Sequence, residues 1–186
     1  MRNSCITLLL IGLMMVSCQK KPWAVYNGQE EGVGPFSIEY PALKVHAYRT
    51  GAGMGDTCFP ESMAISTKSD GGIVLVTVAV HSSEEDFVEC QRASLGDLEL
   101  GNVGSVSATC RKGIEGLTCF LKIPDRYVSV WINESKNQKK LSHQIAATFK
   151  WLEPHDASKA DAWGEHLKAS LEKASKLPAL PPSDDD

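Results

Sequence analysis

Ile73-Val74-Leu75-Val76-Thr77-Val78-Ala79-Val80 is the stretch on which the fold turns. It is short, rich in β-branched residues and preceded by the turn-forming Asp70-Gly71-Gly72, so it predicts a strand. It lacks apolar/polar alternation, and burial on both faces is therefore expected, which makes it a central strand. Before it, Phe36 to Tyr40 alternates apolar and polar until Pro41, Leu43 to Tyr48 resumes an extended pattern, and Met63 to Thr67 forms a modest strand. After it, Ser82-Ser83-Glu84-Glu85 opens a short helix, with Ser82 and Glu85 at capping-box spacing and Gly96 as its end.

Further along, Val106 to Arg111 and Leu117 to Ile123 read as a hairpin, and Tyr127 to Ile132 as another strand. Leu141, Ile145, Thr148, Phe149 and Leu152 fall at helical spacing, which predicts a helix over Lys139 to Leu152 stopped by Pro154. A last helix is expected from Ala157 to Leu177, capped by Asp156, with Ala160, Trp163, Leu167, Leu171 and Ala174 as its apolar stripe. Strands first and helices last give an α+β domain.

The N-terminus carries an address. Met1-Arg2-Asn3 precedes the apolar run Ile6 to Val16, whose eleven residues cover about half of a bilayer core, so it reads as a signal segment and not a span. Met15-Val16-Ser17-Cys18 resembles a bacterial lipobox, which implies removal of residues 1–17 and acylation of Cys18, palmitate included. Gln19 in the second mature position points to the outer membrane, facing the periplasm. An ordinary signal peptide with a cysteine near its cleavage site is the alternative. Residues 18–34 read as a tether, 35–153 as the α+β domain, 154–177 as the C-terminal helix and 178–186 as an acidic tail.

The whole sequence has 186 residues, six cysteines and a formal charge of −4. No basic run exceeds Lys-Lys, which excludes a nucleic-acid binder of the usual electrostatic kind. With Cys5 in the signal and Cys18 lipidated, Cys58, Cys90, Cys110 and Cys119 remain. An even number in an exported domain predicts two disulfides. A hairpin centred between Ile114 and Glu115 sets Cys110 opposite Cys119, within bonding reach, and leaves Cys58 for Cys90. One disulfide with free thiols, or a metal or catalytic role, stays open; the spacing C-x₈-C is too wide for the usual zinc pair.

Three stretches carry a family resemblance. Phe36-Ser37-Ile38-Glu39-Tyr40-Pro41 resembles the F-x-I-x-Y-P opening strand of PsbP-like domains. Ile73 to Val80 with Ser82 to Asp86 is similar to the central strand and helix start of DcrB-type lipoproteins, and Tyr127 to Ile132 with Ile145 to Lys150 to the closing elements of the same superfamily. The resemblance implies an α-β-α sandwich, an antiparallel sheet between helices, and an accessory or assembly role. The C-terminal helix is an addition to that pattern.

Chemistry is sparse. His46, His81, His143, His155 and His166 show no metal spacing and read as surface histidines. No nucleophile elbow, S-x-x-K or P-loop occurs, and the glycine-rich Gly51 to Gly55 lacks a phosphate-binding lysine. Glu84-Glu85-Asp86 reads as solvated charge, and Trp131, Trp151 and Trp163 as core or half-core. No catalytic residue, metal or cofactor is therefore assigned. The expectation is a non-enzymatic, lipid-anchored envelope protein that binds a protein partner or supports envelope assembly. A periplasmic inhibitor or immunity-type lipoprotein is the first alternative, and a hydrolase assembled from distant residues the second.

Overall fold

The computed structural model describes residues 22–51, 61–67, 74–92, 97–113 and 116–178. Within them the chain is α+β, with two antiparallel sheets and three α-helices. Strands β1 (Trp23–Asn27), β2 (Phe36–Pro41), β3 (Val45–Gly51), β4 (Glu61–Thr67) and β5 (Val74–His81) lead into helix α1 (Glu84–Cys90). Then come β6 (Leu98–Val103), β7 (Val106–Lys112), β8 (Gly116–Leu121) and β9 (Tyr127–Asn133). Helix α2 (Lys139–Ala146), the short β10 (Lys150–Trp151), a 3₁₀ turn at Ala157–Lys159 and helix α3 (Ala160–Ala174) complete the order.

Seven strands form the large sheet in the order β3-β4-β5-β9-β8-β7-β6, and three form the small one, β1-β2-β10. Strand β5 lies inside the large sheet, hydrogen-bonded to β4 and β9, as its unbroken apolar run predicts. Register places Val76 opposite Ile132 and Val78 opposite Val130, so these side chains share one face. That inner face, with Met63, Ile65, Val128, Cys119 and Leu121, is buried against Phe36 and Ile38 of the small sheet and Ile145 and Ala146 of α2. The opposite face carries a smaller cluster in which Phe120 meets Phe87 and Val88 of α1 and Leu167, Leu171 and Ala174 of α3.

The N-terminal boundary differs from the expected tether. Residues 23–27 are a strand, with Trp23 opposite Pro41 and Tyr26 opposite Ile38. Tyr26 also stacks on Phe36, ring centroids 6.2 Å apart, so burial of one face overrides the polar, glycine-containing surroundings. Helix α2 is shorter than its periodicity predicts. It stops at Ala146 because Thr148 turns back: its hydroxyl donates to the Ile145 carbonyl at 2.7 Å and accepts from the Glu39 amide at 2.8 Å. Lys150 and Trp151 then pair with Ser37 and Phe36 as β10, while Phe149 is buried.

Two further differences are local. The N-cap of α1 is Ser83, whose hydroxyl accepts from the Asp86 amide at 3.1 Å, and Ser82 bonds the Asp86 carboxylate instead. The helix ends at Cys90; Gly96 lies outside the described residues. Strand β6 has no counterpart in the sequence reading. It joins β7 through a tight turn at Gly104, whose φ of +59° and proximity to the Phe149 carbonyl leave no room for a side chain.

Candidate functional site

Among the described residues, a group of chemically capable side chains meets where β5 ends, β9 begins and α1 packs on α3. Antiparallel register sets His81, the last residue of β5, opposite Tyr127, the first of β9. Both stand on the outer face, because the alternate residues Val80 and Val128 belong to the inner core. Glu84 occupies the first turn of α1, where the helix dipole favours a carboxylate. His166 and Ser170, four residues apart on α3, share the helix face that meets it.

Tyr127 is the hub. Its ring lies between Phe87 at 5.4 Å and Trp163 at 5.2 Å, and its hydroxyl sits 2.9 Å from Nε2 of His166 and 3.4 Å from Oε2 of Glu84. One proton arrangement serves both contacts: Nε2–H of His166 donates to the tyrosine oxygen, which donates to Glu84. Burial and the neighbouring Glu84 carboxylate raise the Tyr127 pKa, so the phenol stays protonated. Trp163 stacks on His166 with centroids 4.8 Å apart and donates from Nε1 to the Arg126 carbonyl at 3.2 Å. The single Ser170 hydroxyl proton is shared between Oε1 of Glu84 at 2.9 Å and the His166 carbonyl at 3.1 Å.

Beneath this cluster His81 is only 5% exposed, its Nε2 3.1 Å from Ser129 Oγ and its ring edge-on to Phe87. Burial pushes its pKa down to about 4, against a small opposing pull from Asp86, so the imidazole is neutral at physiological pH. This corrects the reading of all five histidines as surface residues. Glu84 keeps its side chain 40% exposed, as a solvated charge does, while also accepting from Ser170 and Tyr127; Glu85 and Asp86 are exposed.

Chemically, the cluster fastens two helices to a strand. The Ser170 hydroxyl is directed to a carboxylate and a main-chain carbonyl, which ties α3 to the first turn of α1. Beside the cluster runs an open groove of about 540 Å³, floored by Val88 and Leu177 and edged by Glu85, Glu89, Arg92 and Lys173. A smaller recess of about 220 Å³ is lined by Pro124, Arg126, Trp151, Glu153 and His155. Trp151 thus borders a recess while packing inward on the main core.

A second charged node closes the start of α2. Glu134 lies 3.5 Å from Lys112, 3.8 Å from Lys139 and 3.4 Å from His143. Partial burial acts to raise its pKa, but the two lysines and His143 outweigh it and hold the carboxyl below its ordinary range. Neither this node nor the Tyr127 cluster has a spacing signature in the sequence. Among the described residues, no three His, Cys, Asp or Glu side chains converge as a metal-holding group.

Of the expected site residues, Cys110 and Cys119 stand opposite each other on β7 and β8 and form a disulfide with Cα atoms 4.0 Å apart. The bond lies in the inner core, and Gly101 of β6 makes room for it: a side chain there would meet Cys110 Sγ at 2.9 Å. Cys90 ends α1 and is half-buried. Cys18 and Cys58 lie outside the described residues. The chain matches no protein-family profile, no curated protein and no solved structure.

Proposed function

We propose that this chain is a lipid-anchored bacterial envelope protein, acylated at Cys18, whose domain binds a protein partner or supports envelope assembly without catalysing a reaction. It faces the periplasm, with the outer membrane as the favoured anchor site. The Cys110–Cys119 disulfide is the observation that carries this proposal, because such bonds persist in oxidising compartments outside the cytosol. The signal-like run before Cys18 supports the same address. Among the described residues no helix is long and apolar enough to cross a membrane, so attachment by acyl chains is in keeping with the fold.

The PsbP-like sandwich belongs to the same proposal. Helix α2 on one face of the large sheet and helices α1 and α3 on the other support it. An accessory role is favoured over a hydrolase because the one serine beside a carboxylate and a histidine at the Tyr127 cluster is hydrogen-bonded away from the imidazole. The experiment is Cys18→Ser in the full chain, followed by membrane fractionation, acyl labelling and crosslinked capture from intact envelopes. Loss of both membrane attachment and label is expected, with a specific crosslinked partner for the wild type. Anchoring that survives the substitution overturns the lipoprotein assignment.

A further inference from the structure

We infer that the outer face of the small sheet at its Trp23 end rests on the phospholipid surface to which the chain is anchored. This deepens the lipid-anchor proposal and rests on it. Trp23, Val25 and Leu43 are 40%, 63% and 64% exposed, three of the few large apolar side chains open to solvent in the described residues. Trp23 and Val25 alternate on the free edge strand β1, on the face turned away from the buried Tyr26. Trp23 is opposite Pro41, and Leu43 sits in the turn that leaves Pro41, closed by the Lys44 amide on the Pro41 carbonyl at 3.3 Å and tied to the start of β1 by the Ala42 amide on the Pro22 carbonyl at 3.1 Å. All three therefore cluster around the end of the sheet where the chain enters.

Chain length fixes what this end meets. Trp23 is five residues after Cys18, a reach of at most ~18 Å when fully extended. A domain of this size has a radius of gyration of roughly 15 Å, so so short a link lets only the hemisphere around Trp23 touch the bilayer. An exposed tryptophan beside aliphatic side chains is the composition that partitions into the headgroup region.

Charge agrees with that orientation. Lys20 and Lys21 precede the strand in sequence, Lys44 is exposed beside Leu43, and the Glu39 carboxylate on the same face lies 4.0 Å from Lys150. Glu30 and Glu31 stand beyond Asn27, at the opposite end of β1. The anchor-proximal end is thus basic and apolar, as an anionic phospholipid surface favours.

The full chain, produced in a bacterial host and purified with its acyl group, is reconstituted into phosphatidylethanolamine/phosphatidylglycerol vesicles with brominated acyl chains. Mass spectrometry of the N-terminal peptide reports acylation of Cys18 independently. Bromolipid is expected to quench the share of emission from Trp23, one tryptophan of four, and that quenching is lost in Trp23→Phe. Leu43→Asp, in an exposed turn, lowers it at least twofold. Equal quenching of wild type and Trp23→Phe, or none, with Cys18 acylated overturns the orientation and leaves the anchor standing. A Trp23 unquenched by lipid yet crosslinked to a protein in intact envelopes also overturns it. An unacylated Cys18 removes the anchor assignment itself.

Discussion

The two faces of the seven-stranded sheet are built on different principles. On the inner face Val76, Val78, Val128, Val130 and Ile132 form an unbroken apolar layer, closed by the small sheet and α2. On the outer face Thr109, Ser129 and His81 are buried among few apolar side chains, and α1 and α3 seat on the six-residue cluster around Phe120. Non-directional burial of many residues holds the first face; a few directed contacts locate the second. Damage should therefore spread from the inner face to the whole domain and remain local on the outer one.

The largest effect tests the inner face. Phe36 is fully buried, stacked between Tyr26 at 6.2 Å and Phe149 at 5.6 Å, and so joins the small sheet to the chain that follows α2. Phe36→Ala is expected to cost about 3–5 kcal/mol, measured by urea unfolding, with both helices and strands lost in one transition. A loss under about 1 kcal/mol would show that the small sheet is peripheral to the core.

Acid tests the outer face. His81 has a folded pKa of about 4 against an ordinary value of 6.5, so the unfolded chain binds the proton more tightly. Its contribution is complete above pH 6.5 and is lost as pH falls through the window down to about 4. Stability should drop by about 2–3 kcal/mol between pH 7 and pH 4.5 on this account. His81→Gln, which keeps an amide donor toward Ser129, should flatten that slope. An unchanged slope would move the acid sensitivity elsewhere. The Glu134 node is separable because its lowered pKa places its loss of stability at lower pH, below the ordinary carboxylate range.

The same contrast explains what sequence alone makes legible. Strand alternation and the β-branched run of β5 report the inner face directly, and the nine-residue separation of Cys110 and Cys119 reports their hairpin. Strand β6 is hidden because Leu98-Glu99-Leu100-Gly101 carries an 83% exposed Leu100 and a glycine, and that glycine exists to admit a sulfur from β7. Strand β1 is hidden because its apolar residues point both inward and outward. Thr148, Phe149 and Leu152 keep helical spacing, but pairing with β2 overrides it, as tertiary contacts do to local propensity. The Tyr127 cluster joins residues from β9, α1 and α3, and the Glu84–Ser170 bond alone spans 86 positions. No local pattern encodes such a pair.

The smallest expected effect is the most discriminating. Ser170 is buried on α3, and its hydroxyl serves Glu84 and its own helix. Ser170→Ala removes one hydrogen bond to a charged group, but Glu84 keeps Tyr127 and access to water, so no carboxylate is stranded. A cost of about 1 kcal/mol follows. Because Leu167 and Leu171 still pack on Phe87 and Phe120, α3 stays attached, and faster amide exchange is expected along α3 with the β5 and β9 amides unchanged. Exchange that rises equally in β5 would show that the two faces unfold as one unit and that the clasp contributes to global stability. Exchange unchanged in α3 would assign its seating to the apolar cluster alone.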